Sequence, residues 1–323
     1  MSLLEVEGLR TVFPAAEGEF AAVDGVNFTL EAGEVLGLVG ESGSGKSVTA
    51  FSLMRLVAAP GAITGGAVRF EGEDLLKLAP RAMCAVRGRR MSMIFQEPLS
   101  SLNPIYAIGR QVMEPLLLHT DLSRREARER ALAMLHRVGI ADAVNRFEDY
   151  PHQLSGGLRQ RVMIAIALVC EPKLLIADEP TTALDVTIQA QILELLRQLQ
   201  RELGMAIIMI THDLGVVAEL ADRVNVMYAG RIVETARVAT LFEAPAHPYA
   251  AGLLHSVPDL TVERDRLPTI RGTVPRPDQM PPGCAFAPRC PYADAACDAA
   301  PPALRALAPE HAAACLRPLN ARA

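Results

Sequence analysis

The chain contains the octapeptide Gly40-Glu41-Ser42-Gly43-Ser44-Gly45-Lys46-Ser47, which matches the pattern G-x-x-x-x-G-K-S. The apolar run Val35–Val39 comes directly before it, and a helical pattern begins at Val48. Glycines let a backbone curl until successive N–H groups point at one anion, and a helix that starts there adds the positive end of its dipole. The sequence therefore predicts a phosphate-binding loop with a buried strand before it and a helix after it.

Two acidic residues elsewhere in the chain complement this loop. Lys46 is expected to reach the β- and γ-phosphates of a nucleotide, and the Ser47 hydroxyl to bind Mg²⁺. A second apolar run, Leu174–Ala177, ends in Asp178 and Glu179. Asp178 is placed to hold the magnesium ion and Glu179 to polarise the attacking water. Acids are common where strands meet solvent, but together with the loop this pair predicts hydrolysis of a nucleoside triphosphate.

Apolar runs of strand length alternate with helical patterns from the N-terminus to about residue 240. Near-continuous apolar runs of this length are typical of strands that are buried on both faces. A sheet with helices layered on both sides is the expected result, so the sequence predicts an α/β fold. The candidate strands are Val35–Val39, Met91–Phe95, Leu174–Ala177, Ala206–Ile210 and Val224–Met227. The clearest helical face consists of Ile188, Ile192, Leu195, Leu196, Leu199 and Leu203.

Two regions depart from this alternation. Residues 99–153 show no strand pattern and contain a predicted helix, Arg124–Arg137, with Ala127, Ala131, Leu132 and Leu135 facing inward. We interpret them as an inserted helical subdomain, which divides the α/β core into residues 1–98 and 154–240. Most of the prolines lie after residue 244, so residues 241–323 are predicted to form a loop-rich C-terminal extension that buries little core by itself.

A third motif precedes the acidic strand: Leu154-Ser155-Gly156-Gly157-Leu158-Arg159-Gln160-Arg161. A serine hydroxyl and two glycines at the start of a helix form an anion site, although the same residues also suit an ordinary N-cap. Because the chain has one phosphate loop, a second anion site suggests a nucleotide that is held by another chain. This string resembles the signature of ABC ATPases. The resemblance implies that two subunits pack head to tail with two ATP molecules between them.

The resemblance implies roles for four further residues. Gln96 is similar to the glutamine that contacts Mg²⁺ and the attacking water, and His212 to the histidine that contacts the γ-phosphate. Asp185 ends a string, Thr182–Asp185, that resembles the loop between communicating subunits. Phe13 falls where the family places a ring on adenine. Simpler interpretations remain: Gln96 and Asp185 as surface residues, His212 as a cap for a helix beginning at Asp213, and Phe13 as core, with Phe20 as its rival.

Longer strings resemble one branch of this family, the oligopeptide/dipeptide importers, and within it the D-type ATPase subunit. These strings are V-G-E-S-G-S-G-K-S at 39–47, M-S-M-I-F-Q-E-P-L-S-S-L-N-P at 91–104, A-D-E-P-T-T-A-L-D-V-T at 177–187 and H-P-Y-A-A-G-L-L at 247–254. The resemblance implies a second, related ATPase subunit, two membrane permease subunits and, indirectly, an extracytoplasmic peptide-binding protein. A membrane subunit's coupling helix would dock after Gln96 and on the helical subdomain.

Four cysteines, Cys284, Cys290, Cys297 and Cys315, lie close together in the C-terminal extension. Four soft ligands in a proline-rich segment with little core suggest a metal centre that contributes to folding. The spacing lacks the two C-x2-4-C pairs of most zinc sites. The importer subunits that the chain resembles carry a [4Fe–4S] cluster at such cysteines; Zn²⁺, or no metal, is the alternative. Cys84 and Cys170 are expected to be buried thiols.

Composition and charge limit the alternatives. The formal net charge is -5, which disfavours a nucleic-acid binder. The longest wholly apolar run, Val162–Cys170, is too short to span a membrane, and the N-terminus lacks the pattern of a secretory signal. We therefore expect a protein that stays in the cytosol, and the resemblance to importer ATPases implies that it is peripheral at the cytoplasmic face of the inner membrane. The alternatives are a soluble ABC ATPase that acts on nucleic acid, an importer of another small solute such as nickel, and a metal-binding regulator with a vestigial ATPase.

Overall fold

The computed structural model describes residues 2–15, 18–97, 101–182, 184–256, 269–276 and 279–319. Two compact units are formed by contacts within the chain. The first unit comprises Met1–Leu30, Val35–Leu76 and Ile210–Ala323, and the second comprises Glu31–Glu34 and Lys77–Met209. Residues 98–100, near the predicted start of the helical subdomain, lie outside the described residues, as does Ala183.

The strands and helices are numbered in chain order. The strands are β1 (Leu4–Ala15), β2 (Gly18–Leu30), β3 (Val35–Val39), β4 (Ala62–Phe70), β5 (Glu73–Asp74), β6 (Met91–Ile94), β7 (Leu174–Asp178), β8 (Ala206–Thr211), β9 (Arg223–Tyr228), β10 (Arg231–Arg237), β11 (Arg305–Ala308) and β12 (His311–Ala313). The helices are α1 (Lys46–Leu53), α2 (Pro80–Val86), α3 (Ile108–His119), α4 (Arg124–Arg137), α5 (Ala143–Arg146), α6 (Gly156–Leu168), α7 (Val186–Leu203), α8 (Leu214–Leu220), α9 (Val238–Glu243) and α10 (Pro248–His255).

The first unit begins with an antiparallel sheet of order β2-β1-β4-β5. Leu4 of β1 faces Leu30 of β2 on one side and Phe70 of β4 on the other, and all three side chains are buried. The sequence did not predict these strands, because their side chains alternate between buried and exposed instead of forming continuous apolar runs. Alternation of this kind is typical of an antiparallel sheet with one solvated face.

A mixed sheet of order β11-β12-β10-β9-β3 completes the first unit. Strand β3 pairs in parallel with β9, and β9 pairs antiparallel with β10. All five residues of β3 are buried, which agrees with the prediction of a strand directly before the phosphate loop. The loop is thus attached to a strand that cannot move without disturbing the core.

The second unit contains three further predicted strands in the order β8-β7-β6. Strands β6 and β7 pair in parallel, with Met91 opposite Leu174 and Ile94 opposite Ala177. Parallel pairing brings the carboxyl ends of the two strands to the same edge of the sheet. The residues that follow β6 and β7 therefore lie beside each other.

The helices of the second unit begin and end at local sequence signals. Ser123 and Glu126 form a capping box at the start of α4, which has the predicted bounds. Helix α7 begins after Asp185, whose Oδ1 accepts the Ile188 N–H at 2.9 Å, and ends at Gly204 in the left-handed conformation. None of the helices in the described ranges combines the length and the apolar character needed to cross a bilayer.

The C-terminal extension packs its aromatic residues against the core of the first unit. Tyr249 of α10 and Phe286 contact Tyr228 at the end of β9, with ring centroids 4.6 Å and 5.3 Å from that ring. All three side chains are at most 2% exposed. Burying aromatic surface of this size is among the larger favourable terms in packing. The extension thus gains its core from the α/β unit on which it lies.

A buried carboxylate joins the extension to β10. Glu234 is fully buried, and its two carboxylate oxygens accept the Ala246 and His247 N–H groups at 2.8 Å and 2.7 Å. Oε1 also lies 2.9 Å from His311 Nε2 of β12. One side chain therefore holds the start of α10 and the strand β12 on the core.

We predict that Glu234→Ala destabilises the protein by about 3 kcal/mol or more, because it leaves buried N–H groups and His311 without their acceptor. Urea unfolding of the purified chain measures the change. The matched control is Glu310→Ala, whose carboxylate pairs with Arg237 and is 47% exposed. A surface pair of this kind contributes about 1 kcal/mol or less. Equal losses of unfolding free energy in the two variants would contradict the role given to Glu234.

Candidate functional site

The phosphate loop curls around the side chain of Lys46. The Lys46 ammonium donates to the Gly40 carbonyl at 2.7 Å and to the Glu41 carbonyl at 2.9 Å, and it is buried. The Ser44 carbonyl accepts the Gly230 N–H at 2.9 Å, which ties the loop to the turn between β9 and β10. The curl is thus held by the loop's own lysine and by the neighbouring turn, and the loop leads into a helix N-terminus.

Two glycines make this curl possible. Gly40 has φ 155° and Gly45 has φ 102°, and both carry the backbone close to other chain segments. A Cβ at Gly40 would lie 2.2 Å from the Met227 carbonyl oxygen, and one at Gly45 would lie 2.3 Å from the Ala22 carbonyl oxygen. No side chain fits at either position. The glycines in the motif therefore serve both conformation and close packing.

The second unit brings Gln96 and Glu179 together, as the parallel pairing of β6 and β7 requires. Gln96 Nε2 donates to Glu179 Oε2 at 3.0 Å, and the Thr182 hydroxyl donates to the same oxygen at 2.9 Å. Asp178, the last residue of β7, is 2% exposed. Glu179 has φ 48°, which is uncommon for a residue other than glycine. Backbone strain of this kind is concentrated at functional positions.

The motif that begins at Leu154 forms an exposed helix start. Ser155 is the N-cap of α6, and its Oγ accepts the Leu158 N–H at 3.4 Å. Ser155 and Gly156 are exposed, and Gly157 packs so closely on Ile188 that a Cβ there would lie 3.0 Å from Ile188 Cγ2. The helix N-terminus, with its unpaired N–H groups, faces outward. The N-cap interpretation of Ser155 is confirmed, and it leaves the helix start accessible to an anion.

The remaining predicted residues lie at the ends of strands and helices. Asp185 caps α7, and His212 is exposed directly after β8. Asp213 caps α8 with its own carboxylate, which accepts the Gly215 N–H at 2.8 Å, so that helix has its cap without His212. His212 belongs to the same unit as the phosphate loop.

Phe13 and Phe20 lie opposite each other across the hairpin of β1 and β2. The Phe13 ring packs on Gly61, where a Cβ would lie 2.5 Å from Phe13 Cε1. Phe20 lines a cavity of about 550 Å³ together with Tyr228 and Arg231. Both rings are partly exposed, and the choice between them for adenine stays a prediction.

The four cysteines of the extension line one small cavity of about 20 Å³. Burial raises the pKa of the Cys284 and Cys290 thiols, and burial together with the neighbouring thiols raises the pKa of Cys315 to about 11. Among the described residues, no three His, Cys, Asp or Glu side chains stand in an arrangement that would hold a metal ion. The expectation of a buried thiol is wrong for Cys84, which is exposed.

A buried histidine lines the same cavity. His247 is 1% exposed, and burial lowers its pKa to about 4, so the ring is neutral near pH 7. Its Nδ1 accepts the Tyr249 N–H at 3.1 Å, which leaves the proton of the neutral ring on Nε2. Within the described ranges Nε2 has no hydrogen-bond partner. No sequence motif marked His247 as a functional residue, although it begins the H-P-Y string at 247–249.

One residue of the phosphate loop is held by the extension. Arg289 donates to both carboxylate oxygens of Glu41, at 2.6 Å and 3.0 Å, and the Glu41 N–H donates to the Tyr249 hydroxyl at 2.7 Å. The hydrogen bonds to Glu41 raise the pKa of Arg289, so its charge is permanent. These contacts were not predicted, because nothing in a local sequence pattern links positions so far apart.

Comparison with known proteins places these features in a family. Residues 23–182 match the ABC transporter family, and residues 233–297 match the C-terminal region of oligopeptide/dipeptide transporters. The oligopeptide transport ATP-binding protein OppD of Salmonella typhimurium is 53% identical over 98% of this chain and 94% of its own length. The oligopeptide transport ATP-binding protein AppD of Bacillus subtilis is 55% identical over 90% of this chain and 89% of its own length.

Solved structures give the same result for the fold. The ATP-binding cassette MJ0796, solved as a dimer in a post-hydrolysis state with ADP and Pi, is 28% identical, with a TM-score of 0.66 over 73% of this chain and 98% of its own. The structure of cbiO1 from Clostridium perfringens, part of the transporter complex cbiONQ, is 30% identical, with a TM-score of 0.64 over 75% of this chain and 91% of its own. The chain therefore belongs to the ABC transporter ATPase family, in the branch with the oligopeptide/dipeptide transporter C-terminal region.

Proposed function

We propose that this chain is the ATP-hydrolysing subunit of an ABC importer for dipeptides or oligopeptides, peripheral at the cytoplasmic face of the inner membrane. The observation that carries the proposal is the combination, in one chain, of an ABC cassette with the oligopeptide/dipeptide C-terminal region. The OppD and AppD proteins, which are oligopeptide transport ATP-binding proteins, align with nearly the whole chain.

The nucleotide is held by the loop and by the acidic strand. The N–H groups between Gly40 and Ser47 and the start of α1 bind the phosphates, and Lys46 reaches the β- and γ-phosphates. Ser47, Gln96 and Asp178 are the magnesium ligands in this proposal. Two observations support this assignment: Asp178 is buried, and the phosphate loop is curled around the Lys46 side chain.

Glu179 acts on the attacking water. Its carboxylate is oriented by hydrogen bonds from Gln96 and Thr182, and in this proposal that carboxylate polarises the attacking water molecule. Water then attacks the γ-phosphorus in line with the leaving group, and ADP departs as the new P–O bond forms. Lys46 stabilises the charge on the phosphoryl oxygens, and His212 contacts the γ-phosphate. A magnesium ion held by Ser47, Gln96 and Asp178 would supply further charge stabilisation.

The exposed start of α6 serves the nucleotide of another subunit. Ser155, Gly156 and Gly157 bind the γ-phosphate held by the partner ATPase, and Asp185 lies at the contact between the two subunits. The outward-facing helix N-terminus supports this arrangement, as does the dimeric state of the MJ0796 cassette. We propose a related but different ATPase as the partner.

The other partners are two membrane permease subunits and, through them, an extracytoplasmic peptide-binding protein. The region after Gln96 and the helices α3 to α5, within the proposed subdomain 99–153, receive a permease's coupling helix. Exposed apolar side chains on this segment support the assignment, since a docking surface needs apolar area that is free of the protein's own core. They are Ile105, Leu117, Leu118 and Val144.

The four cysteines hold a [4Fe–4S] cluster in this proposal. An iron–sulfur cluster binds one thiolate at each iron, so its thiolates are spread more widely than the four that share one Zn²⁺ at about 2.3 Å. All four thiols line one common cavity, which supports a single centre that binds all four cysteines. His247 Nε2–H, which has no partner in the described part of the chain, fits an acceptor such as a cluster sulfide.

We predict that Glu179→Gln abolishes transport while MgATP still binds. The amide cannot polarise water, so hydrolysis falls by about 100-fold or more and ATP-bound dimers accumulate. ATP hydrolysis and uptake of a labelled dipeptide are measured with the assembled transporter in membrane vesicles. The control is Glu194→Gln, on the exposed face of α7. Normal hydrolysis in the Glu179 variant would refute the catalytic assignment. The proposed substrate would be refuted if the wild-type transporter took up nickel at the expense of ATP but no dipeptide.

We predict that Gly45→Ala removes MgATP binding, because the new Cβ would meet the Ala22 carbonyl and open the curl. Gly72→Ala, outside the phosphate loop, is the control: its φ of 81° costs about 1 kcal/mol of strain, but no atom lies within 4 Å of its Cβ. Nucleotide titration and thermal unfolding of the full chain compare the two variants. Tight MgATP binding by the Gly45 variant would contradict the loop assignment.

We predict that the chain, purified without oxygen, contains about four iron and four sulfide per chain. Elemental analysis and visible absorption measure this. Cys290→Ser loses the iron, whereas Cys84→Ser, at an exposed cysteine outside the extension, retains it. Stoichiometric zinc without iron would replace the cluster by the zinc alternative, and a chain with neither metal would end the metal proposal.

A further inference from the structure

Arg289 of the extension and Glu41 of the phosphate loop form a two-bond ion pair across 248 positions of sequence. The Arg289 side chain is 3% exposed and that of Glu41 is 31% exposed. A planar guanidinium that meets both oxygens of a carboxylate is the strongest of the common side-chain pairs. The pair therefore has the geometry of a fixed contact instead of a loose surface one.

Each partner is fixed by further contacts. Arg289 ends a 3-10 turn, Ala287–Arg289, and its Nε donates to the Arg271 carbonyl at 2.9 Å. The Glu41 N–H donates to Tyr249 Oη, and the Glu41 carbonyl accepts from the Lys46 ammonium at 2.9 Å. The Glu41 carbonyl also accepts the Ser44 N–H at 3.2 Å, so the backbone and the carboxylate of Glu41 are bonded to the extension and to the loop itself.

The charge of Glu41 makes this contact relevant to nucleotide binding. Its carbonyl accepts from the Lys46 ammonium, which is expected to reach the β- and γ-phosphates, so the negative charge of Glu41 belongs to a residue of the phosphate loop itself. An uncompensated carboxylate there would repel a triphosphate, and partial burial would strengthen the repulsion. The Arg289 guanidinium, which bonds both oxygens of the carboxylate, cancels that charge.

We infer that Arg289 is a positioning residue for the phosphate loop, through which the folded C-terminal extension sets the affinity for MgATP. The inference rests on MgATP binding by this loop. The sequence motifs for nucleotide binding all lie in the cassette. The inference adds a residue of the C-terminal extension to them.

The test is a pair of substitutions that each remove one charge of the ion pair. Only removal of the positive charge is expected to weaken MgATP binding. Arg289→Met removes the positive charge with a side chain that suits a buried site, and we expect MgATP to bind about tenfold more weakly. Glu41→Gln keeps the shape and a hydrogen-bond acceptor but removes the negative charge, so affinity stays equal or rises. The double variant carries neither charge and binds within about twofold of wild type.

Titration of the full-length chain with MgATP measures affinity, and thermal unfolding checks the fold. In the assembled transporter, Arg289→Met raises KM for MgATP and leaves kcat at saturation unchanged. The control is Arg237→Gln, which removes another arginine–glutamate pair between the core and the extension, the one with Glu310. It changes MgATP affinity by less than about twofold.

The possible results distinguish a failure of this inference from a failure of the proposed nucleotide site. If both single variants weaken MgATP binding alike, or the double variant shows no recovery, the pair is only structural and the inference is wrong. If Arg289→Met does not fold, Glu41→Gln alone tests the inference. Weaker MgATP binding by Glu41→Gln would then contradict it, because unchanged or tighter binding is expected. If the wild-type chain binds no MgATP, the nucleotide site itself fails and this inference fails with it.

Discussion

A loop that offers its N–H groups to an anion cannot use those groups to hold its own shape. The phosphate loop of this protein is therefore held through its carbonyls: the Lys46 ammonium bonds the Gly40 and Glu41 carbonyls, and the Gly230 N–H bonds the Ser44 carbonyl. Close packing at Gly40 and Gly45 leaves no room for a side chain at either position. The strand before the loop, the helix after it and the turn beside it are all needed for one preformed site.

The C-terminal extension belongs to this support. Glu234 fixes the start of α10 to β10, Tyr249 of α10 bonds the Glu41 N–H, and Arg289 bonds the Glu41 carboxylate. The same extension carries the four cysteines, with Cys290 directly after Arg289. A segment with little apolar core of its own thus becomes ordered by packing on the cassette, and in return it reaches the site where the nucleotide binds.

The sequence alone predicted the strands β3, β6, β7, β8 and β9 and the helices α4 and α7, because continuous apolar runs and capping residues act over a few positions. It also predicted that Gln96 and Glu179 belong to one site, and the parallel pairing of β6 and β7 brings them within 3.0 Å. It missed the antiparallel sheet of β1, β2, β4 and β5, whose half-exposed strands carry a weaker periodic signal.

The linear sequence determined the family and the chemistry of the motifs, since a phosphate loop and a signature helix each need a few residue types at fixed, short spacing. Only the tertiary structure decided that Arg289 meets Glu41, that Glu234 meets His311, and that the cysteines share a cavity with His247. Such pairs depend on strand order and on the packing of distant segments. No local pattern encodes them, because the free energy that forms them comes from burial of the whole unit.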